Sequence, residues 1–285
     1  MADVQTFIGF PSPLLGAEPV RLPVLFNSEN AIALPKPAGT VTSYYDWYPR
    51  APGLAEAIST QAAAGKPELA RLGIGTRVSP AYPMDAEMSG VALFAKNGAA
   101  NEFLLNALGS GQMRFVFRFL AAKGSNVPDS FECDLPLARH HTKALVLVSS
   151  TTGKKSRTTF RKIGDAGPFA WWEAESDFPR IHQVRVHAHE SGLRIVGDTL
   201  YSREPLPFLS RYKRDFDPGK NKEEQPLCDQ MCLHLYSVSF PDMDGSTHEV
   251  VAPIPPRILK MVQVLERYSQ PQARRPKFNS LDEYV

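Results

Sequence analysis

The sequence predicts one α+β domain organised around an extended, mixed but mostly antiparallel sheet flanked by helices. Three observations carry that prediction. Strand-like runs such as "RFVFRFLAA" (114–122), "FAWWEAES" (169–176) and "CLHLYSVSF" (232–240) dominate the second half of the chain. Helical spacing is confined to a few separate segments. No stretch is polar and Pro-rich enough to divide the 285 residues in two. The expected organisation is an N-terminal extension over 1–20, one folded domain over 21–270 with an insertion at about 202–230, and a loose C-terminal tail over 271–285.

Residues 1–20 are Pro-rich and are expected to be irregular. "VLFNSENAIALPKPAGTV" (24–41) reads as two short strands around an Asn27–Asn30 turn, closed by the breaker Pro37–Gly39. "GLAEAISTQAAAGK" (53–66) is rich in alanine and stops at Gly65, which predicts a helix. Next come a strand over "GVALFAK" (90–96), a helix over "AANEFLLNALGSG" (99–111) and the strand 114–122. "ALVLVSS" and "KSRTTFRKIG" flank the turn "TTGKK" and read as a strand pair. "HQVRVHAHE" (182–190) alternates at period two and reads as a strand. "PPRILKMVQVLERYS" (255–269) repeats apolar residues at Ile258, Met261, Val262 and Leu265, the signature of a helix packed on a sheet.

Composition is that of an ordinary globular chain, with 43% hydrophobic and 22% charged residues. No apolar run approaches the roughly 18 residues of a membrane span. The N-terminus lacks a basic region followed by an apolar core, so no signal peptide is expected. Three cysteines, an odd number, fit a reducing compartment, and a cytoplasmic location is expected. A net charge of +2 implies no polyanion by itself. Its distribution does: residues 135–164 hold Arg139, Lys143, Lys154, Lys155, Arg157, Arg161 and Lys162, with His140 and His141, and no acid. Such a one-sign field attracts phosphate, although a solvated strand pair would look the same.

Several residues invite chemistry. On a strand, Gln183, Arg185, His187 and His189 would share one face, opposite Val184, Val186 and Ala188. Two readings compete with a plain polar face: a His-x-His metal site using His187 and His189, or an Arg185 that orients a carboxylate or phosphate. Cys228, Cys232 and His234 lack the second paired motif of a zinc site and read as structural. There is no P-loop, and neither Ser149 nor Ser150 lies in a nucleophile elbow. Asp85 sits among small and apolar residues just before a buried strand. Desolvation would raise its pKa, and a guanidinium would lower it again and hold the carboxylate oriented. That describes a nucleophile or general base, and equally an ordinary turn residue. Glu87 could be a second carboxylate, but on a short turn the two are expected to point apart.

Four stretches, in order, resemble the RluA-type RNA pseudouridine synthases. They are "VLFNSENAIALPKPAGTVTS" (24–43), "YPMDAEMSGVALFAKN" (82–97), "RIHQVRVHAHESGLRIVGDTLYS" (180–202) and "CLHLYSVSFP" (232–241). The first is similar to a strand hairpin ending in Lys-Pro-Ala-Gly, with Lys36 at its close. The second occupies the place of His-Arg-Leu-Asp-Arg-x-Thr-Ser-Gly, and the third that of Arg-Thr-His-Gln-Ile-Arg-Val-His with its Gly-Asp-x-Leu-Tyr ending. The resemblance spans roughly residues 22–242 and implies the pseudouridine synthase fold, a mixed sheet with an RNA-binding cleft. It implies isomerisation of uridine in RNA with no cofactor, and a metal-free monomer acting on ribosomal or transfer RNA is expected.

On the same resemblance, Asp85 falls on the catalytic aspartate and Arg185 on the arginine that pairs with it. Phe115 takes the place of the tyrosine that stacks on the flipped uracil, and Tyr82, Lys36, His182 and Gln183 complete the substrate-binding set. Tyr82, Pro83 and Met84 replace the residues before the aspartate, and Ala86 replaces the arginine after it. These departures support an alternative: a catalytically inactive RNA-binding relative. No S4-type RNA-binding module is expected ahead of the first motif. RNA affinity is therefore expected from the cleft and from residues 135–164.

Overall fold

The computed structural model describes residues 6–122, 126–219 and 223–269. In chain order the first half contains β1 (Phe7–Phe10), β2 (Val20–Pro23), β3 (Phe26–Asn27), β4 (Ala31–Lys36), α1 (Leu54–Ala63), α2 (Pro67–Arg71), β5 (Ser79–Pro80), β6 (Ser89–Ala95), α3 (Gly98–Gly109) and β7 (Arg114–Ala122). The second half adds β8 (Ser130–Cys133), β9 (Leu137–Arg139), β10 (Val146–Val148), β11 (Thr158–Ala166), β12 (Phe169–Ser176), α4 (Gln183–Glu190), β13 (Arg194–Ile195), β14 (Leu233–Pro241), β15 (Thr247–Val251) and α5 (Pro256–Ser269).

The main sheet runs in the order β3-β4-β6-β14-β7-β12-β11-β8, with β5 beside β6, β13 beside β7 and β15 beside β14. Every pairing is antiparallel except β6 with β14, where Ser89 lies opposite His234 and Gly90 opposite Leu235. Gly90 adopts φ +137°, and a Cβ there would lie 2.4 Å from the Leu235 carbonyl oxygen. Only glycine lets the two strands approach so closely. All seven residues of β6 are buried, so it forms the centre of the core.

Helix α5 lays Ile258, Met261, Val262 and Leu265 against Leu120, Phe169 and Val196 on one face of the sheet, as its spacing predicts. Asn97 caps α3 by accepting a 2.8 Å hydrogen bond from Ala100 N. Among the described residues no helix is long and apolar enough to cross a membrane.

The structure corrects three readings. Part of the segment expected to be irregular forms β1, which pairs with β2 and buries Ile8 and Phe10. β10 does not pair with β11; it makes a separate two-stranded hairpin with β9, while β11 joins β8 and β12 in the main sheet. Among the described residues, the expected insertion 202–230 holds a 3-10 turn at Leu209–Arg211 and, through Glu204, a bridge to Val196. Most consequential, residues 183–190 are the helix α4 and not a strand. Residues 183–188 are all buried, polar and apolar alike, so the usual apolar stripe is absent. The tail expected after Gln270 lies outside the described residues.

Candidate active site

Asp85 lies in the loop between β5 and β6, and Lys36 holds that loop from beneath. The fully buried Lys36 Nζ donates to the carbonyls of Thr40 and Met88, each at 2.6 Å, and of Pro37 at 3.1 Å. It thereby ties the turn after β4 to the Asp85 loop, and Gly39 N reinforces the link by donating to Ala86 O at 2.8 Å. Burial pulls the Lys36 pKa down to about 7, against the opposing charges of Asp85 and Glu87. Tyr82, also buried, donates its hydroxyl to Val91 O at 2.7 Å. Both residues shape the loop and have their donors engaged by protein.

Opposite the loop, α4 begins at His182 in the left-handed conformation, φ 58°. That turn aims the His182 backbone N–H at Asp85 Oδ1, 3.2 Å away. Gln183 fixes the turn: its Oε1 accepts from Arg180 N at 3.0 Å, and its Nε2 donates to Arg157 O and to the hydroxyls of Thr158 and Ser176. One turn into α4, Arg185 reaches back with Nη1 to Asp85 Oδ2 at 3.5 Å and to Glu87 Oε2 at 3.3 Å. Asp85 and Glu87 therefore converge on one guanidinium nitrogen, contrary to the expectation that they point apart. The other edge of Arg185 is gripped by Asp198, with Nη2–Oδ1 2.9 Å and Nε–Oδ2 3.2 Å. Burial opposes the charge on Arg185, but Asp198 and the two loop carboxylates outweigh it and push its pKa up.

A chain of hydrogen bonds surrounds this cluster. Tyr48 donates to Glu87 Oε2 at 3.0 Å, so its oxygen is free to accept from His182 Nε2 at 2.7 Å. On the other side Tyr201 Oη accepts from Val146 N at 2.9 Å and donates to His182 Nδ1 at 2.7 Å. This inventory assigns a neutral imidazole with the proton on Nε2. Burial lowers the His182 pKa, which favours the same form, and burial raises those of Tyr48 and Tyr201, keeping their protons on.

A recess of about 20 Å³ opens beside Asp85, lined among others by Met84, Met88, Phe117 and Leu235. That is room for about one water, so a nucleobase enters only if side chains give way. Phe115, expected as the stacking platform, is not in this lining: it is fully buried and meets Tyr82 edge-on at 4.8 Å. Phe117, two residues on along β7, supplies the aromatic wall instead.

The His-x-His reading fails on helix geometry. Two residues apart on a helix lie about 200° apart around its axis. His187 is buried between Thr158 Oγ1 and Leu135 O, each at 2.9 Å, while His189 is exposed. Cys228 and Cys232 are buried thiols near Gln230 O, and His234 turns instead to Ser89 and Ala252. Among the described residues no group of three or more metal-binding side chains assembles. Sequence reasoning left three participants without roles: Tyr48, Tyr201 and Asp198. The last two fall within "GDTLY" (197–201), which follows α4 closely enough to have marked them.

No family model matches the chain. Curated relatives do. It is 25% identical over 250 residues to ribosomal large subunit pseudouridine synthase D of Neisseria meningitidis, covering 87% of this chain and 62% of the relative. An uncharacterised RNA pseudouridine synthase of Synechocystis is 25% identical over 255 residues, covering 88% of this chain and 71% of that one. These curated relatives are RNA pseudouridine synthases. Two solved structures of this kind share its fold. The human RNA pseudouridylate synthase domain containing 4 superposes with a TM-score of 0.64 over 85% of this chain and 92% of that one, at 15% identity. The human domain containing 1 protein gives 0.56 at 18% identity, covering 81% and 83%. The architecture is thus the pseudouridine synthase fold, while the chain spans about 62% of the length of the Neisseria relative.

Proposed function

We propose that this protein isomerises uridine to pseudouridine in structured ribosomal or transfer RNA, with Asp85 as the catalytic carboxylate and Arg185 as the residue that orients it. One observation carries the reading. A buried carboxylate is held by a backbone N–H and by a guanidinium that is itself clamped by Asp198, beside a recess with an aromatic wall. Such a group is oriented and shielded from water, which suits covalent or general-base chemistry.

The reaction needs little else. The target uridine leaves its stack, at a cost of a few kcal/mol, and its base enters the recess. Asp85 attacks the ribose or assists cleavage of the glycosidic bond, so that the N1–C1′ bond breaks. The freed uracil turns and rejoins through C5, and the C5 proton moves to solvent as N1 regains one. Atoms and charge balance without a redox partner. The positive residues of 135–164 supply the phosphate attraction. A monomer acting in the cytoplasm completes this reading.

A second reading is favoured by the sequence around the aspartate. Tyr82, Pro83, Met84 and Ala86 bring no arginine to help expel the base, and the recess is narrow. On that reading the protein binds RNA without turning it over. The test is a pseudouridine map of cellular RNA with the gene intact, deleted, and restored as wild type or Asp85→Asn. Sites that vanish on deletion and return only with wild type establish the enzyme and name its substrate. An unchanged map while the protein is expressed selects the binding reading.

A further inference from the structure

A second cavity of about 550 Å³ adjoins the Asp85 recess and shares Pro83, Pro179, Arg180 and Ile181 with it. It runs between the β9–β10 hairpin and the segment leading into α4. Its lining joins apolar side chains (Leu137, Phe178, Ile181) to cations (Arg139, Lys154, Arg180), and no carboxylate is among its lining residues. Phe178 is 39% exposed, and it lines this cavity.

The cations are placed rather than scattered. Arg180 donates Nε and Nη2 to Lys155 O at 3.1 and 3.0 Å, and its guanidinium lies 5.1 Å from the Phe178 ring centre. Arg139 is held against Tyr45 and Trp47, at 5.4 and 5.5 Å from their ring centres. Among the described residues neither arginine, nor Lys154, forms an ion pair with a carboxylate. A flat apolar ring edged by unpaired cations suits a group that is aromatic and anionic at once. A nucleotide is such a group.

We propose that this cavity binds the nucleotide adjacent to the target uridine, stacking its base on Phe178 and holding its phosphate with Arg139, Lys154 and Arg180. The inference rests on the RNA-directed reading above and deepens it. Of the two cavities only the larger has room for a base without rearrangement, so the neighbouring nucleotide docks first and the uridine is drawn into the recess from there. Lys154 and Arg139 belong to the acid-free stretch 135–164, whose charge gains a specific task in this way.

The experiment measures binding of the pentaribonucleotide AAUAA to the full chain carrying Asp85→Asn, so that no turnover intervenes. It is repeated with an abasic residue on either side of the uridine, with uridine monophosphate, and with Phe178→Ala or Lys154→Glu added. One abasic substitution is expected to weaken binding about tenfold in the Asp85→Asn protein and to have no further effect once Phe178 is alanine. Lys154→Glu is expected to weaken binding of every oligonucleotide and to flatten its salt dependence. Thermal melting checks that both variants fold. The proposal is overturned if no pentanucleotide binds, if both abasic oligonucleotides bind like the parent, or if their losses persist undiminished in Phe178→Ala. It is also overturned if uridine monophosphate competes as well as AAUAA, which would mark a site for free nucleotides. Phe178-dependent binding with an unchanged cellular pseudouridine map would instead overturn the enzymatic reading and leave this site standing.

Discussion

Arg185 and Asp198 face each other in a two-pronged ion pair, 2.9 and 3.2 Å long, with both side chains essentially excluded from solvent. Asp198 is fixed in turn by the backbone N–H groups of Leu200 and Tyr201, at 3.0 and 3.2 Å. The guanidinium cannot rotate about its own plane without breaking one prong. Its free nitrogen, Nη1, is thereby aimed at Asp85 and Glu87.

Asp198→Asn should therefore reduce both stability and turnover, although Asp198 lies behind Arg185 and outside the recess lining. Removing one partner of a buried pair costs roughly 3–5 kcal/mol, and the remaining carboxylates near Arg185 should hold the loss to about 3. Urea unfolding measures the first effect and kcat on a responsive RNA the second. Unchanged kcat would show that Asp198 serves the fold alone.

Asp85→Asn separates chemistry from binding. The amide keeps the shape and still accepts the His182 N–H, so stability should change by about 1 kcal/mol at most. RNA affinity should stay within about threefold, while turnover falls to background, because an amide can neither attack nor accept a proton. Filter binding and a tritium-release or mass-based pseudouridine assay on the same protein preparation decide it. Residual turnover above background would move the chemistry to Glu87, which shares the same guanidinium nitrogen.

His182 poses a backbone question. Its φ of 58° points the N–H at Asp85, and side chains other than glycine, asparagine and aspartate adopt this region at a cost of roughly 1–2 kcal/mol. His182→Asn tolerates the conformation and should keep most of the turnover, whereas His182→Val is expected to lose the N–H contact and lower kcat by about tenfold or more. KM should move less than kcat in the valine variant, since Asp85 is misaimed while RNA contacts persist. Equal kcat for the two variants would separate the left-handed turn from catalysis.

These residues also mark how far the sequence could be read. β4, β6, β7 and β14 were legible because each is a bounded apolar or alternating run, and α5 because Ile258, Met261, Val262 and Leu265 repeat at helical spacing. α4 was not. Its residues alternate Gln-Val-Arg-Val-His-Ala, which is strand periodicity, and the helix is stable there because Gln183, Arg185 and His187 each find a buried partner elsewhere in the chain. Those partners, Thr158, Asp198 and Leu135, are 13 or more residues away, so no local pattern announces them. Asp85 and Arg185 each stood out as candidates in the sequence, and the family resemblance assigned them to one site across 100 residues. The same resemblance misplaced the aromatic wall by one alternation, from Phe117 to Phe115, because period two on β7 puts both on the same side.

His234 sits at the β6–β14 seam, accepting from Ser89 Oγ through Nδ1 at 2.8 Å and donating Nε2–H to Ala252 O at 3.0 Å. Burial, with smaller effects from Lys36 and Arg118 against the Ala252 hydrogen bond, lowers its pKa to about 4. In the unfolded chain the imidazole titrates near 6.5. Between these values the unfolded state binds the extra proton, so stability rises with pH across the window and falls as the solution is acidified. The contribution is fully present above about 6.5 and amounts to a loss of roughly 2 kcal/mol by pH 5. His234→Gln keeps a donor and an acceptor but cannot take up a proton. Its urea midpoint should therefore depend less on pH between 7 and 5 than that of the wild type. His182 and His187, whose pKa values burial also lowers, are common to both proteins and cancel in the difference. Parallel curves for the two proteins would mean that His234 is protonated in the fold at no cost, and that the seam admits water.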